Sequence, residues 1–353
     1  MEDVVRFEPR AANKREALVS KVLEWTPAYE VSHITGIRST LGATADGWFI
    51  GCPYFPNQFV TLTREAVYGK IIAACRIAEE QGAGIVGLGA FTSVVGDAGQ
   101  TVSKNVGIAV TTGSSYTIAT AIEGALEASR RMGSSPEDSH VAVIGATGSI
   151  GSTCAKMLSR MVGGLTLVAP NLSRLRRVAE AVLQYSKRVV SVTRDIKEAL
   201  SRADIVISAS SSTGGIIKAS YLKPGSVVCD VALPHDVCRE VAEIRPDVLV
   251  IEGGLVSVPG KVSFDFDFGY PPGIALACMS ETMILALEKR YENYSMGRGI
   301  DIEKVLEISE LARKHGFKLA GFRSFERPIT DEEIAEKRER ADSAKKKVMI
   351  SYG

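Results

Sequence analysis

Three side chains in the carboxyl-terminal half of the sequence could carry reaction chemistry, and Cys278 is the candidate nucleophile among them. It follows the helix-stopping run Pro271-Pro272-Gly273, near the start of a predicted helix over 274–294. A helix amino terminus favours a thiolate by about 0.3–1 kcal/mol at exposed sites. Burial in the apolar first half of this helix would instead raise the thiol pKa. Periodicity therefore permits a nucleophile here but favours a packed core cysteine, because free cysteines are among the most buried residues.

The other two side chains could move protons. Glu281 lies three residues after Cys278 and shares its helix face, so it could relay a proton or orient the thiol, although a carboxylate also opposes thiolate formation. His235 lies in the run Asp230-Val-Ala-Leu-Pro-His-Asp236 after a predicted strand. A histidine there would lie near a nicotinamide and could act as a general acid. The alternative is a residue at a helix start, with Asp236 as its cap.

A glycine-rich turn predicts a second kind of site. The run Val141-Ala-Val-Ile-Gly-Ala-Thr-Gly-Ser-Ile-Gly151 reads as a buried strand, a tight turn and the start of a helix. Its G-x-x-G-x-x-G spacing is a relative of the dinucleotide fingerprint, in which free N–H groups at the helix start bind pyrophosphate. The strand before it and the helix after it favour this interpretation over a plain turn. The expected contacts are Gly145, Thr147, Gly148, Ser149, Ile150 and Gly151.

Residues after the second strand of this region indicate which nicotinamide cofactor is used. An NAD site usually carries Asp or Glu there to bind the ribose 2′-hydroxyl. The sequence has Asn171, Ser173 and Arg174 instead. A guanidinium binds a 2′-phosphate through paired charge-assisted hydrogen bonds, although arginines here could also simply solvate a helix face. We therefore predict NADPH as the cofactor, with Ser210 and Ser211 lining its path mainly through their backbone.

Alternating strands and helices define the predicted fold. From residue 141 onward the predicted strands are 141–144, 165–169, 189–193, 204–208, 226–230 and 248–252. This alternation predicts an α/β fold with a doubly wound, Rossmann-type parallel sheet and ligands at its carboxyl edge. The predicted units are an amino-terminal α/β substrate domain (1–135), a Rossmann NADP-binding domain (136–265), carboxyl-terminal helices with the candidate nucleophile (266–322) and a charged peripheral tail (323–353). In the first unit, Ser114 or Ser115 is expected to cap a helix over 116–131.

Composition excludes several classes of function. The 353 residues include 42 Lys and Arg and 41 Asp and Glu, for a net charge of +1. Such a chain offers no strong field to nucleic acid or to an anionic membrane. It has no apolar run of about 18 residues and no secretory signal pattern, and its cysteines form no CxxC pair. We predict a cytoplasmic protein without a metal site, a nucleic-acid partner or a transmembrane segment.

Taken together, the motifs of this sequence resemble the long-chain acyl-(acyl-carrier-protein) reductases best known from cyanobacteria. No single motif is decisive, but their order and spacing are fairly specific over about residues 30 to 320. The matching segments are Gly89-Ala-Phe-Thr-Ser93, Thr111-Thr-Gly-Ser-Ser115, the glycine run 141–151, Gly253-Gly254, Ala277-Cys278-Met-Ser-Glu281, Gly297-Arg298, Ile302-Glu303-Lys304 and His315-Gly316-Phe317.

The resemblance implies a reaction and its partners. The family's nucleophile lies in an Ala-Cys-x-x-Glu stretch, which corresponds to Cys278. It would take a fatty acyl group from an acyl carrier protein or CoA thioester, and hydride from NADPH would then release a fatty aldehyde, which an aldehyde-consuming enzyme could accept. The segment between Phe264 and Cys278 is shorter than in the cyanobacterial proteins. His235 occupies the position of a lysine in them, so its proposed role gains no support from the family.

Two other classes of function remain open from the sequence. A two-domain NAD(P)-dependent dehydrogenase of a small hydroxy acid or ketone, similar to shikimate dehydrogenases, fits the order of the predicted domains. Such an enzyme needs a lysine or a similar base in its first domain rather than a cysteine. A nucleotide-binding sensor without turnover is a third class, and no feature of the sequence specifically favours it.

Overall fold

The protein begins with a mixed α/β region that precedes its main sheet. The structure, a computed structural model, describes residues 9–186, 188–212, 214–325 and 327–351. The helices of the first region are α1 (Glu16–Trp25), α2 (Gln58–Thr61), α3 (Arg64–Glu80), α4 (Phe91–Val94), α5 (Gln100–Ser103) and α6 (Ser114–Arg131). Its strands are β1 (Tyr29–Arg38), β2 (Thr44–Gly51), β3 (Ile85–Gly87) and β4 (Ala109–Thr111).

A parallel sheet of six strands forms the centre of the molecule. Its strands are β5 (His140–Ile144), β6 (Gly164–Val168), β7 (Val190–Thr193), β8 (Ile205–Ser208), β9 (Val227–Asp230) and β10 (Leu249–Glu252). The helices between them are α7 (Ser149–Leu158), α8 (Leu172–Leu183), α9 (Ile196–Arg202) and α10 (Arg239–Ile244). The strand order is β10-β9-β8-β5-β6-β7, so the chain reverses direction across the sheet beside β5.

The carboxyl-terminal part returns to the first region. It contains the strands β11 (Leu255–Ser257), β12 (Gly260–Ser263), β13 (Ile274–Leu276), β14 (Lys318–Leu319), β15 (Arg323–Ser324) and β16 (Arg327–Pro328). Its helices are α11 (Ala277–Leu287), α12 (Ile302–His315) and α13 (Asp331–Ser351). Strand β12 pairs with β1, and β11 pairs with β13 and β14. The chain thus leaves the parallel sheet after β10 and rejoins the first region. The domain boundaries given above stay predictions.

The Rossmann-type sheet is confirmed, and the burial of its strands explains why it could be predicted. Val141 and Val143 pack into the core on one face of the sheet, whereas Ala142 and Ile144 pack into the core on the other face. Because successive side chains of a strand point to opposite faces, a strand that is covered on both sides reads as a continuous apolar run. All six predicted strands are present, with bounds that differ by about one residue.

Helix α6 joins the two halves of the molecule. Ile118, Ala121 and Ala125 pack into the core of the parallel sheet, and Tyr116 packs into the core that also contains α11. The amino terminus of α6 therefore lies beside α11, and its position is fixed by apolar contacts on both sides.

The predicted helix over 274–294 is wrong at both ends. Residues Ile274–Leu276 form strand β13, which pairs antiparallel with β11, and helix α11 then runs only from Ala277 to Leu287. This segment is apolar on all sides, so its sequence carries no period that distinguishes a buried strand from a buried helix. The correction matters because Cys278 becomes the second residue of its helix rather than a residue one turn inside it.

Candidate active site

The glycine turn after β5 has a backbone that only glycines allow. Gly145 has φ +75°, and a Cβ placed on it would lie 2.7 Å from the Ala209 carbonyl carbon and 2.9 Å from the Ser210 Cα. A Cβ on Gly151 would lie 2.5 Å from the Gly145 oxygen. These glycines therefore let helix α7 approach the strand ends closely, which is their role in a dinucleotide fingerprint.

The amino terminus of α7 is open to an anion. Its N-cap is Gly148, and no side chain caps the helix. Thr147 and Ser149 are half-buried beside it, while Ile150 packs against the core of the sheet. The orphan N–H groups of such a helix start, together with its dipole, suit the pyrophosphate of a dinucleotide. The predicted contacts of residues 145–151 are thus compatible with the structure and stay predictions.

The residues after β6 place Arg174 at the start of a helix with its side chain exposed. Asn171 is the N-cap of α8, where its Oδ1 accepts hydrogen bonds from the Arg174 N–H (3.0 Å) and the Ser173 hydroxyl (2.8 Å). Asn171 and Ser173 therefore fix the start of the helix. The Arg174 side chain is exposed, and it forms no ion pair within the described parts of the chain. Its guanidinium is the group of this set that could bind a 2′-phosphate, as the NADPH prediction requires.

A serine loop after β8 is organised by a carboxylate that the sequence did not reveal as central. The Asp236 side chain is fully buried and accepts hydrogen bonds from the hydroxyls of Ser208, Ser210 and Ser212, each at 2.6 Å. Helix α10 begins only at Arg239, so the alternative of Asp236 as a helix cap is wrong. The spacing of the serines by two residues could have indicated a shared partner, because alternate side chains lie on one side of an extended segment.

This network restricts what the predicted loop residues can offer to a ligand. The Ser210 hydroxyl donates its proton to Asp236 Oδ1, and its oxygen accepts the Ser212 N–H at 3.1 Å. It therefore has no proton left for a phosphate, and Ser210 can contribute through its backbone. Ser211 points to solvent and remains the exposed candidate in this loop.

His235 lies beside a buried carboxylate at the carboxyl edge of the sheet. Its Nδ1 is 3.6 Å from Oδ2 of Asp230, the last residue of β9, and its ring contacts that of Phe325 edge-on. Asp230 also accepts the N–H groups of Ala232 and Val237, each at 3.0 Å. Interaction with the Asp230 carboxylate raises the pKa of His235, and burial opposes this increase. The imidazole can therefore hold a proton at this edge, as a general acid must.

Cys278 lies where two helices begin. It is the second residue of α11, and the residue packed against it is Gly113, the N-cap of α6. A Cβ on Gly113 would lie 2.6 Å from the Cys278 carbonyl oxygen and would overlap the cysteine Cα and Cβ. The amino termini of α6 and α11 therefore meet beside this residue. Each helix amino terminus carries roughly half a positive charge.

The surroundings of the thiol act on its pKa in opposite directions. Burial raises the pKa of Cys278 to about 11, whereas the backbone N–H groups of Met279 and Cys278 lower it and the nearby Glu281 carboxylate raises it. The residue nonetheless keeps partial solvent exposure. A sulfur that accepts N–H groups at a helix start can become a nucleophile once its proton is removed.

Glu281 connects the two helices rather than reaching toward solvent. It is fully buried; its Oε1 accepts the Thr111 hydroxyl at 2.5 Å, and its Oε2 accepts the Tyr116 N–H at 2.8 Å. Burial raises the pKa of this carboxyl group, and these hydrogen bonds oppose the increase. Glu281 therefore holds the start of α6 against α11, and its predicted role in orienting the Cys278 thiol stays a prediction.

The predicted serine cap of α6 is wrong. Neither Ser114 nor Ser115 caps the helix through its own side chain. The Ser115 N–H donates to the Ser295 hydroxyl oxygen at 3.1 Å, and the next N–H donates to Glu281. Both acceptors lie more than 160 residues away in sequence, so local capping rules could not identify them.

A pair of glycines connects Cys278 to the parallel sheet. The Gly253 N–H, just after β10, donates to the Asp230 carbonyl oxygen at 2.8 Å, and the Ala277 N–H donates to the Gly254 carbonyl oxygen at 2.6 Å. Helix α11 therefore begins at the carboxyl edge of β9 and β10. The glycine turn and His235 lie at this same edge, because all six strands are parallel. The fold thus brings the candidate nucleophile, the candidate acid and the dinucleotide turn to one side of the sheet.

Comparisons with known proteins find one family model and two curated relatives of interest. Residues 127–251 match the family model of shikimate / quinate 5-dehydrogenase. Over 80% of its length the chain is 33% identical to the aminotransferase PigE of Serratia sp., although the match covers 33% of that protein. It is 28% identical to the long-chain acyl-[acyl-carrier-protein] reductase of Synechococcus elongatus, over 83% of this chain and 87% of that protein. The chain thus spans about a third of the length of PigE.

Two solved structures are similar to parts of this chain. Glutamyl-tRNA reductase from Methanopyrus kandleri is 16% identical, with 85% of this chain and 63% of that chain covered and a TM-score of 0.33. Quinate dehydrogenase from Corynebacterium glutamicum in complex with NAD is 21% identical, with 33% of this chain and 43% of that chain covered and a TM-score of 0.27.

The sheet and the open glycine turn form a Rossmann-type domain, and the family-model match over residues 127–251 supports an NAD(P)-dependent oxidoreductase. No helix in the described part of the chain is long and apolar enough to cross a membrane. Among the described residues, no group of three or more His, Cys, Asp or Glu side chains could hold a metal ion.

Proposed function

We propose that the protein reduces an acyl thioester of CoA or of an acyl carrier protein to a fatty aldehyde, with NADPH as reductant and Cys278 as nucleophile. One observation carries the proposal: Cys278 lies between two helix amino termini at the sheet edge that also carries the glycine turn. The similarity to the acyl-carrier-protein reductase supports it over 83% of the chain. A core cysteine without a chemical role would require no such position.

The residues would divide the reaction between them as follows. The Cys278 sulfur attacks the thioester carbonyl, its proton leaves with the departing CoA or carrier thiol, and an acyl-cysteine thioester remains. NADPH, when bound at the glycine turn, would supply hydride to the carbonyl carbon. The N–H groups at the start of α11 stabilise the resulting oxyanion, whose collapse breaks the carbon–sulfur bond and releases aldehyde and thiolate. His235 donates the one proton that the thiolate then requires, and a covalent intermediate divides one difficult reduction into two easier steps.

The glycine turn and Arg174 would hold the reductant. The open start of α7 takes the pyrophosphate, and the exposed Arg174 takes the 2′-phosphate. Glu281 keeps Cys278 against Gly113 through its contacts with α6. An aldehyde-consuming enzyme is the partner that this product would require.

The proposal is tested by following the cysteine itself. The protein is incubated anaerobically with acyl-CoA and acyl-carrier thioesters of several lengths, and the mass of the Cys278 peptide, NADPH loss and aldehyde are measured. We expect Cys278→Ala to abolish both the acyl adduct and the aldehyde while NADPH still binds. The matched control is Cys52→Ala, because Cys52 is also half-buried and burial raises the pKa of its thiol to about 11. Full turnover by Cys278→Ala would disprove the mechanism.

A dehydrogenase of a small hydroxy acid or ketone is the second candidate, because residues 127–251 match the shikimate / quinate family. It needs a base in the first region. Lys70 is half-buried there, but its ammonium donates to the carbonyl oxygens of Leu23, Glu24 and Pro53 at 2.7–3.3 Å, so it stabilises the local fold as a cation. Oxidation of shikimate or quinate without an acyl adduct would favour this candidate.

A further inference from the structure

The buried Asp236 carboxylate forms no ion pair within the described residues, yet it is satisfied by hydrogen bonds. It accepts three serine hydroxyls at 2.6 Å and the Ser210 N–H at 3.2 Å. A carboxylate is costly to bury unless it is hydrogen-bonded in this way. Burial of Asp236 therefore depends on the loop over residues 208–212 adopting one conformation, and the loop conformation depends equally on Asp236.

The network fixes the loop backbone residue by residue. Each hydroxyl gives its single proton to Asp236, and the oxygens of Ser210 and Ser212 then accept N–H groups further along the chain. The Ser212 N–H donates to the Ser210 oxygen and the Gly214 N–H donates to the Ser212 oxygen, each at 3.1 Å. Removal of the carboxylate would leave these hydroxyls free to rotate and would weaken the loop from its first residue to its last.

This loop forms one wall of the glycine turn. The Ala209 N–H donates to the Ile144 oxygen at 3.0 Å, and the Ala209 carbonyl carbon would lie 2.7 Å from a Cβ on Gly145. A displaced loop would therefore move into the space that the glycine leaves, or away from it. In either case the surface offered to a dinucleotide changes.

We propose that Asp236 is the positioning residue for dinucleotide binding, because its carboxylate sets the conformation of the loop beside the glycine turn. The inference requires dinucleotide binding at the glycine turn and is independent of the thioester chemistry. It acts through the loop, so it controls affinity for NADPH and leaves acyl transfer to Cys278 unchanged.

The test compares two buried carboxylates of the same domain. Asp247 is also buried and pairs with Arg245 through two hydrogen bonds at 2.7 and 2.8 Å, but it precedes β10 and lies at the opposite edge of the sheet. NADPH binding is measured by nicotinamide fluorescence, and acylation of Cys278 by acyl-CoA is measured without NADPH. Asp236→Asn should raise the Kd for NADPH roughly ten- to hundredfold, as expected for the loss of hydrogen bonds to a charged group.

Acylation by Asp236→Asn should stay within about twofold of the wild type, and Asp247→Asn should leave the Kd for NADPH within about twofold even where it lowers stability. Ser212→Ala, which removes one donor, should raise the Kd by a smaller factor than Asp236→Asn. A Kd within twofold of the wild type for Asp236→Asn, or an equal rise for both Asp variants, would overturn the inference. If the wild type binds NADPH but never acylates, the proposed function fails and this inference stands.

Discussion

The close approach of Gly113 to Cys278 gives a prediction that tests how the candidate nucleophile is held. Gly113 has φ +71°, and a Cβ on it would overlap the Cys278 backbone, which belongs to a helix and cannot rotate away. Gly113→Ala should therefore strain the backbone and push α6 and α11 apart. The matched control is Gly42→Ala, because Gly42 has φ +90° and no atom within 4 Å of its added Cβ.

The two variants separate backbone strain from the contact. A left-handed conformation costs an alanine about 1–2 kcal/mol, and this cost is common to both variants. Overpacking against a fixed neighbour adds about 1–3 kcal/mol. Gly42→Ala should thus lose about 1–2 kcal/mol of unfolding free energy and Gly113→Ala about 2–5 kcal/mol. If relief of the overlap moves Cys278 by about 1 Å, its acylation should slow by about a hundredfold, whereas Gly42→Ala should react like the wild type.

Urea unfolding measures the stability of both variants, and mass spectrometry of the Cys278 peptide after timed exposure to acyl-CoA measures the rate. Folding is checked by circular dichroism before each rate is taken. The reasoning would be refuted if Gly113→Ala lost no more stability than Gly42→Ala and acylated at the wild-type rate.

Three further predictions follow from single contacts. Arg174→Glu should raise the KM for NADPH roughly ten- to hundredfold with little change in the KM for NADH. An unchanged ratio of the two KM values in steady-state kinetics would contradict this prediction. Because the pKa of His235 is raised in the folded state, its contribution to stability is complete below the unfolded value of about 6.5 and is lost as pH rises through the folded value. The stability loss of His235→Gln in urea should therefore shrink from pH 5.5 to pH 9, and a pH-independent loss would exclude this pairing. Because the pKa of Cys278 is raised to about 11, the rate at which iodoacetamide alkylates Cys278 should rise about tenfold per pH unit from pH 7 to pH 10. A plateau of this rate below pH 9 would contradict the prediction.

The parallel sheet was predictable because its signals are local. Five of its six strands are buried almost throughout, so their apolar runs alone mark their positions to within about one residue. The edge strand β7 is only half-buried. The glycine spacing after β5 likewise reflects contacts within one turn, such as the 2.5 Å approach of a Gly151 Cβ to the Gly145 oxygen.

The surroundings of Cys278 were not predictable because they depend on distant partners. Strand β13 exists because Ile274–Leu276 pairs with Leu255–Ser257, and nothing in its own sequence indicates that pairing. Glu281 reaches the Tyr116 N–H across 165 positions. The sequence suggests Asp236 only as a possible helix cap, and its three serine contacts become visible only in the fold. Periodicity therefore placed Cys278 about one turn inside a longer helix and could not reveal the second helix start beside it.

Burial disfavours a stored Cys278 thiolate, but it suits the movement of charge in the proposed reaction. A pKa of about 11 leaves roughly one thiol in ten thousand ionised at pH 7, so the site is poorly suited to storing a thiolate. It is better suited to a charge that moves, because the negative charge passes from sulfur to the carbonyl oxygen and back within a few ångströms. The N–H groups of Cys278 and Met279 at the start of α11 interact with the sulfur, and in the proposed reaction they would also stabilise the carbonyl oxygen. Donors fixed in a site with little water stabilise a developing oxyanion more strongly than donors in solvent. The burial that raises the thiol pKa would thus also strengthen stabilisation of the oxyanion.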